Sequence, residues 1–323
     1  MDDRDLLVRL GAGAVSGDAL AREAGVTRAA VWKRIEALRA AGVVIEARPG
    51  QGYALARAPD LLDAAALRAA LSAPVAAGLD ALEVAWSLDS TNSELLRRPR
   101  TDRATVLLAE RQSAGRGRLG RSWTSPLGAQ VCLSVRRGFD GGLARLGGLS
   151  LVAGVAVAEA LRALGFDAVG LKWPNDLVAG DRKLAGLLVE GGGEYAGPVH
   201  AVVGIGINVR LPEAAAAAID QPWTDLARLA PGGDLPDRNR IAAAVVDRLL
   251  PALDAFDRDG LAPFLPRYAA LDALAGRVVG VLDGRGTVAG RALGLASDGG
   301  LRVAIEGGGE RTFHAGEVSV RPR

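Results

Sequence analysis

Ala109-Glu110-Arg111-Gln112-Ser113-Ala114-Gly115-Arg116-Gly117-Arg118-Leu119-Gly120-Arg121-Ser122-Trp123 is the densest signal in the chain. Glycines at 115, 117 and 120 spell G-x-G-x-x-G after an apolar run, Val106-Leu107-Leu108, that reads as a buried strand. A dinucleotide-binding turn must open at once into a helix, with a small apolar face and no charge. Here three arginines occupy the turn, and Ser122-Trp123-Thr124-Ser125-Pro126 continues as non-helix. The Rossmann reading fails. Glycines of this kind bring backbone N–H groups close to a ligand, while Arg116, Arg118 and Arg121 offer forked donors to phosphate or carboxylate. A flexible basic loop that merely solvates its charges is the plainer alternative.

Downstream, Leu171-Lys172-Trp173-Pro174-Asn175-Asp176-Leu177 reads as a strand end followed by a turn, because Pro174 biases Trp173 to an extended conformation. Arg182 to Glu190 reads as a further strand. So does Gly204-Ile205-Gly206-Ile207-Asn208-Val209, with glycines where a ligand or backbone comes close. Val199 to Val203 is another buried-strand run. Upstream, Ser87 to Asn92 ends in small polar groups at a helix start, where capping alone would explain them. Between these segments, Ser150 to Leu164 reads as an amphipathic helix with Leu151, Val155 and Leu161 near one face. Alternating helices and strands from Leu61 to about Ala270 define the central region.

The two ends differ in character. Gly17 to Thr27 reads as helix, tight turn at Gly25, and N-cap at Thr27. The next helix, Arg28 to Ala40, turns Val31, Ile35 and Leu38 inward, leaving Arg28, Lys33 and Arg34 off that face. Val43 to Tyr53, tipped by Pro49-Gly50-Gln51-Gly52, forms a wing hairpin beside it. Basic residues on such a module point to DNA, with protein interaction the alternative. Ala56 to Pro59 is a linker. At the other end, Val278 to Leu282, Thr287 to Leu293, Leu301 to Ile305 and Val318 to Val320 are short strands. Asp283-Gly284, Asp298-Gly299-Gly300 and Gly307-Gly308-Gly309 separate them, the pattern of a small antiparallel barrel.

Composition narrows the chemistry. The 323 residues are 49% hydrophobic and carry 39 Lys+Arg against 37 Asp+Glu, so no global field draws the protein to nucleic acid or membrane. If the N-terminal module binds DNA, it does so weakly as a monomer, and a dimer on a two-fold site is the remedy. One cysteine, Cys132, excludes a disulfide framework and a cysteine-built zinc site. Two histidines leave little for imidazole catalysis. The acidic start, Met1-Asp2-Asp3-Arg4-Asp5, is no signal peptide, and the longest apolar stretch, Leu149 to Ala158, is too short to span a bilayer; the chain reads as cytoplasmic. Only Lys33, Lys172 and Lys183 are lysines. A lysine kept against an arginine background marks a place for a compact ammonium.

Asp-Ser-Thr-Asn, Gly-Arg-Gly-Arg, Lys-Trp-Pro-Asn-Asp, Arg-Lys-Leu-Ala-Gly and Gly-Ile-Gly-Ile-Asn stand in the order found in biotin–protein ligases. With the N-terminal module and terminal strands, the chain resembles the bifunctional bacterial group, the biotin operon repressors. The resemblance implies an α+β protein of three units. These are a winged helix-turn-helix (1 to 60), a central mixed-sheet α/β ligase domain like the class II synthetases (61 to 270), and a C-terminal Src-homology-3-like β-barrel (271 to 323).

It also implies the activity: biotin and ATP, with Mg2+, yield biotinyl-5′-adenylate, and biotin passes to a lysine of the biotin carboxyl carrier domain of acetyl-CoA carboxylase. By the same resemblance Ser90, Thr91, Asn92, Gln112, Arg116, Gly117, Arg118, Lys183, Gly186, Gly204 and Gly206 bind biotin. Arg118, Arg121, Trp123, Lys172, Asn175, Asn208 and Trp223 face the nucleotide, Trp223 covering the adenine from the segment Leu211 to Trp223. Arg116, Arg118, Lys183 and Asp176 are the catalytic set, Asp176 either holding Mg2+ or accepting the acceptor lysine's proton. Arg22, Thr27, Arg28, Lys33 and Arg34 contact operator DNA, as a homodimer in the adenylate-bound state and away from any membrane. Two further readings stand beside this one: a biotin-sensing repressor without ligase activity, and a ligase whose N-terminal module does not bind DNA. A lipoate ligase is the nearer competitor in chemistry.

Overall fold

Short capped helices build the N-terminal module. In the computed structural model, which describes residues 1–140, 142–193, 199–217, 219–282, 286–315 and 319–322, Asp2 and Asp5 form a capping box on α1 (Asp3–Gly11). Helix α2 (Gly17–Ala24) starts on Ser16 and ends at left-handed Gly25. Helix α3 (Arg28–Ala40) starts on Thr27, whose hydroxyl accepts from Ala30 N at 3.2 Å. Strands β1 (Ile45–Arg48) and β2 (Gly52–Leu55) make the wing, and Val15 pairs with Tyr53 to tie it to the helices. Leu6, Leu7, Leu10, Leu20, Val31, Ile35 and Leu38 fill the core between them.

That core is completed from outside the module. Leu127 inserts into it, and Leu127 N donates to Ala41 O at 2.8 Å. Beside it, Gly42 has φ +98°, and a Cβ there would stand 2.6 Å from Pro126 Cβ, so only glycine lets the two segments meet. Leu127→Ala is expected to cost about 2–5 kcal/mol of docking. Limited proteolysis at the Ala56–Pro59 linker should then quicken; unchanged cleavage would show that Leu127 holds nothing.

The central domain begins with α4 (Ala64–Ala70) and α5 (Ala73–Gly78). Then come β3 (Leu79–Leu88), α6 (Thr91–Arg97), β4 (Ala104–Gln112), β5 (Gln130–Phe139) and α7 (Leu149–Ala163). After these follow β6 (Val169–Lys172), β7 (Asp176–Ala179), β8 (Arg182–Gly193) and β9 (Val199–Asn208). Short α8 (Glu213–Ala216) and α9 (Leu226–Leu229) lead to α10 (Arg238–Asp259) and α11 (Leu265–Ala269).

The seven strands lie in the order β3-β4-β5-β9-β8-β7-β6, with β3 and β4 parallel and the other neighbours antiparallel. A 3-10 turn and irregular chain, not a helix, follow β4, as expected for a loop that is not a dinucleotide-binding turn.

Strand alternation gives this sheet two different faces. Val131, Leu133, Val135, Val203, Ile205 and Leu187 join the large core, on which α7 and α10 pack. Helix α7 departs from the one-sided helix expected: Leu149 to Ala158 apart from Ser150 is buried all round, because sheet, α10 and α11 enclose it. The stretch Leu143–Ala163 is apolar and long enough to cross a membrane, yet most of it is α7, the central helix of this core.

A buried ion pair fastens the sheet to α10. Arg238 Nη1 donates to Glu110 Oε2 at 2.6 Å, and its other donors reach Gln130 O and Asp60 O.

The C-terminal strands are β10 (Val278–Leu282), β11 (Thr287–Leu295), β12 (Leu301–Ile305), β13 (Glu310–Phe313) and β14 (Ser319–Pro322). They pair antiparallel in the order β13-β12-β11-β10-β14. Strand β13 has no counterpart in the sequence reading, since Glu310-Arg311-Thr312-Phe313 buries only Phe313. The Asp283-Gly284 turn and Val318 lie outside the described residues. Trp173 is buried, its indole donating to Gly299 O at 3.0 Å across the domain junction.

Candidate active site

The second face of the sheet carries the polar groups. Along β5 the even positions Gln130, Cys132, Ser134 and Arg136 share one side, and Val131, Leu133 and Val135 between them face the core. Opposite them on β9 stand Asn208, Gly206 and Gly204, and next on β8 stands Gly186. The absent side chains leave a floor. In this structure side chains fill it: a Cβ on Gly206 would meet Trp123 Cε2 at 2.6 Å, and one on Gly204 would collide with Asn92 Oδ1. Gly186 faces Trp123 and Lys183.

One end of the floor is hydroxyl-rich. Ser90 caps α6 and so carries Thr91 and Asn92 onto the sheet, all three buried. Gln112 Oε1 accepts from Thr91 N at 2.8 Å, and Ser134 Oγ lies 2.6 Å from both Thr91 Oγ1 and Asn92 Oδ1. Asn92 Nδ2 donates to Glu190 Oε2 at 2.8 Å. Glu190 also receives Arg116, whose Nη2 donates to Oε1 at 3.0 Å and to Ser93 Oγ at 2.9 Å. Arg116 is thus tethered at this end, away from Lys183.

The arginine loop folds back on itself. Gly117 N donates to Arg121 O and Trp123 N to Gly115 O, with Leu119 at its tip in the left-handed region (φ 57°). Arg118 swings inward and donates to Asn175 Oδ1 at 3.2 Å, while Asn175 Nδ2 holds Leu187 O.

Charge gathers around one carboxylate. Lys183 Nζ lies 2.7 Å from Asp176 Oδ1, both side chains under one-fifth exposed. A β-bulge creates this pair. Leu177 faces Ala185 but Val178 faces Lys183, so one extra residue on β8 turns Lys183 from the core side to the side of Asp176 and Gly186. Burial pushes the Lys172 ammonium down from its ordinary value, Asp176 opposing the shift and Lys183, Arg321 and Arg121 adding to it. Burial likewise lowers Arg118, against the attraction of Asp176. Asp176 is the shared counter-charge of Arg118, Lys172 and Lys183, a cluster short of negative charge.

The far end is a buried relay. Trp123 Nε1 donates to Gln130 Oε1 at 3.2 Å, Gln130 Nε2 to Asn208 Oδ1 at 2.8 Å, and Asn208 Nδ2 to Thr224 O at 3.0 Å. Trp223 packs with Ala129, Leu211 and Ala216 under Arg228, and its segment pairs with Lys183 through Lys183 N to Pro222 O. Gln130, Ser134 and Glu190 were missed from sequence. For the first two a signal was present, the polar-apolar alternation of β5; Glu190 has none.

In the N-terminal module Arg22, Arg28 and Lys33 are exposed, and Thr27 spends its hydroxyl on the cap. Arg34 is half-buried: its guanidinium donates to Met1 O at 2.5 Å and faces Asp3, tying α3 to the start of α1.

A model for an HTH domain matches residues 4–54, one for the biotin/lipoate A/B protein ligase family matches 84–208, and one for the biotin protein ligase C-terminal domain matches 275–321. Together they define a protein ligase of the biotin/lipoate class joined to a helix-turn-helix module. The bifunctional ligase/repressor BirA of Salmonella typhimurium is 39% identical over 95% of this chain and 93% of its own, and that of Escherichia coli 38% identical over 95% and 92%. The biotin protein ligase of Aquifex aeolicus in complex with biotin and ATP superposes with a TM-score of 0.64 at 29% identity, over 76% of this chain and all of that one. This chain belongs to the bifunctional biotin ligase/repressor family.

Proposed function

We propose that the glycine floor and its cation cluster join biotin to ATP and then to a carrier lysine. A biotin carboxylate oxygen attacks the α-phosphorus, the bond to pyrophosphate breaks, and biotinyl-5′-adenylate forms. The ε-amine of a lysine on a biotin carboxyl carrier domain then attacks the acyl carbon, AMP leaves, and the amine gives up a proton. The first step brings two anions together, a repulsion of about 4 kcal/mol at 4 Å and an effective dielectric of 20. The observation that carries this reading is Lys183 paired to Asp176 beside Gly186, with Arg118 and Lys172 sharing that carboxylate. An incoming carboxylate and phosphate take over the counter-charge role of Asp176, and the cations stabilise charge on the pentavalent phosphorus.

Ser90, Thr91, Asn92 and Gln112, with Ser134, satisfy the ureido ring; Trp123, Asn175, Asn208 and Trp223 serve the nucleotide. Among the described residues no three His, Cys, Asp or Glu side chains converge. A single carboxylate, Asp176, fits a Mg2+ ion that arrives with the triphosphate, for Mg2+ keeps most of its ligands from phosphate and water. Bound there it would neutralise phosphate charge. The protein acts in the cytoplasm, and the adenylate-bound state favours a homodimer that places two winged helices on a two-fold operator.

Exchange of labelled pyrophosphate into ATP, run with biotin and with lipoate, tests the reading: exchange with biotin alone is expected, and exchange with lipoate alone overturns it. Arg118→Gly removes the guanidinium that closes on Asn175, so the mixed anhydride escapes and labels bystander lysines. Labelling confined to the carrier domain in that variant would show that Arg118 does not retain the intermediate.

A further inference from the structure

Helix α3 turns Val31, Ile35 and Leu38 into the module's core and leaves Arg28, Ala29, Trp32, Lys33, Ala37 and Ala40 in solvent. Trp32 is 53% exposed, and among the described residues it is the only exposed aromatic side chain. It stands one turn beyond Arg28 and next to Lys33, while the only acid on the helix, Glu36, is drawn aside by Arg39 at 2.7 Å. Arg28 meets Asp18 only at 3.9 Å, with both side chains largely exposed, a weak pairing that leaves its charge available.

The surroundings of Trp32 are therefore cationic and low in relief. Ala29 and Ala37 keep the helix backbone close to whatever it approaches, and the indole projects beyond them. A polyanion fits the charge. A wide apolar plane projecting from a basic helix can gain only from an apolar group inside that polyanion. In the major groove that group is the thymine 5-methyl, the one apolar feature presented by base edges there.

We propose that Trp32 is a sequence-reading residue that packs on thymine methyl groups in the operator half-site, while Arg28 and Lys33 hold the phosphates. This rests on the operator-binding role given above. It sets the module apart from one that reads only by hydrogen bonds: removing a single methyl from DNA, with no hydrogen bond changed, should weaken binding.

The test uses the full-length protein with biotin and ATP. A duplex is selected by it from a random library, and each thymine is then replaced in turn by deoxyuridine. At one or two positions per half-site, each replacement should lower affinity about fourfold, the worth of burying one methyl carbon. Trp32→Ala should lose the same factor on the thymine duplex and become indifferent to deoxyuridine at those positions. Trp32→Phe should keep the discrimination, which also shows that the module still folds. Discrimination that persists in Trp32→Ala, or wild-type indifference to every replacement, overturns the contact and leaves DNA binding standing. A selection that enriches no sequence overturns the operator-binding role as well. Should Trp32→Ala change only self-association in sedimentation, the indole belongs to a second copy of the chain and the proposal falls.

Discussion

Lys183→Ala is expected to slow biotin-dependent pyrophosphate exchange by roughly 100- to 1,000-fold, the usual cost of one preorganised charge at a reacting centre. The ammonium sits at 2.7 Å from Asp176 on the glycine floor, the position where two anions must meet. Its loss removes attraction for the transition state and also leaves Asp176 with one counter-charge fewer, adding repulsion. Biotin binding, measured by calorimetry, should weaken far less, because the ureido contacts lie at the other end. Equal losses in rate and binding would make Lys183 a binding residue only. Lys183→Arg is not expected to restore the rate. A guanidinium spreads its charge over a plane and cannot place the compact ammonium that lies beside Asp176 and over the Trp123 ring. Adding Asp176→Asn to Lys183→Ala should recover part of the binding loss by removing the stranded charge.

Arg238→Met should lower stability by about 3–5 kcal/mol, a large share of the roughly 5–15 kcal/mol that a domain commands. Arg238 is 1% exposed and bonds to Glu110, Gln130 and Asp60. Its removal leaves the buried Glu110 carboxylate, among the described residues, with Leu62 N as its remaining donor, at 2.5 Å. The damage reaches the site, since Arg238 fixes the carbonyl of the residue whose side chain holds Trp123 and Asn208. Urea unfolding should show the shift, and Glu110→Gln in the Arg238→Met background should return part of it. A midpoint unmoved by Arg238→Met would mean that this buried pair contributes nothing net.

The helix starts at Thr27 and Ser90 were legible because capping is a local hydrogen bond between a side chain and its own next turn. The loop without a helix after β4 was equally legible, as three arginines in seven residues do not open a helix of the dinucleotide type. The reach of Arg34 to Met1 O had no local signal, because a long side chain can leave its helix face and its partner is distant in sequence. Leu127 gave no sign of belonging to the DNA-binding module, for a core completed by a remote residue has no local signature. Trp123 stood out as a loop-end aromatic, but nothing near it in sequence says that its indole rests on Gly206.

From the order of residues alone came the three-part division of labour, several of the strands, and an arginine-glycine loop suited to anions rather than a dinucleotide. Local sterics and hydrogen bonding write those into a few neighbouring positions. Folding in three dimensions decided where Lys183 points. Simple alternation along β8 would set it with Ala185 and Leu187 against the core, and the bulge against β7 turns it to Asp176. A bulge depends on the partner strand, and pairing between strands is a property of the assembled sheet, which no single segment contains.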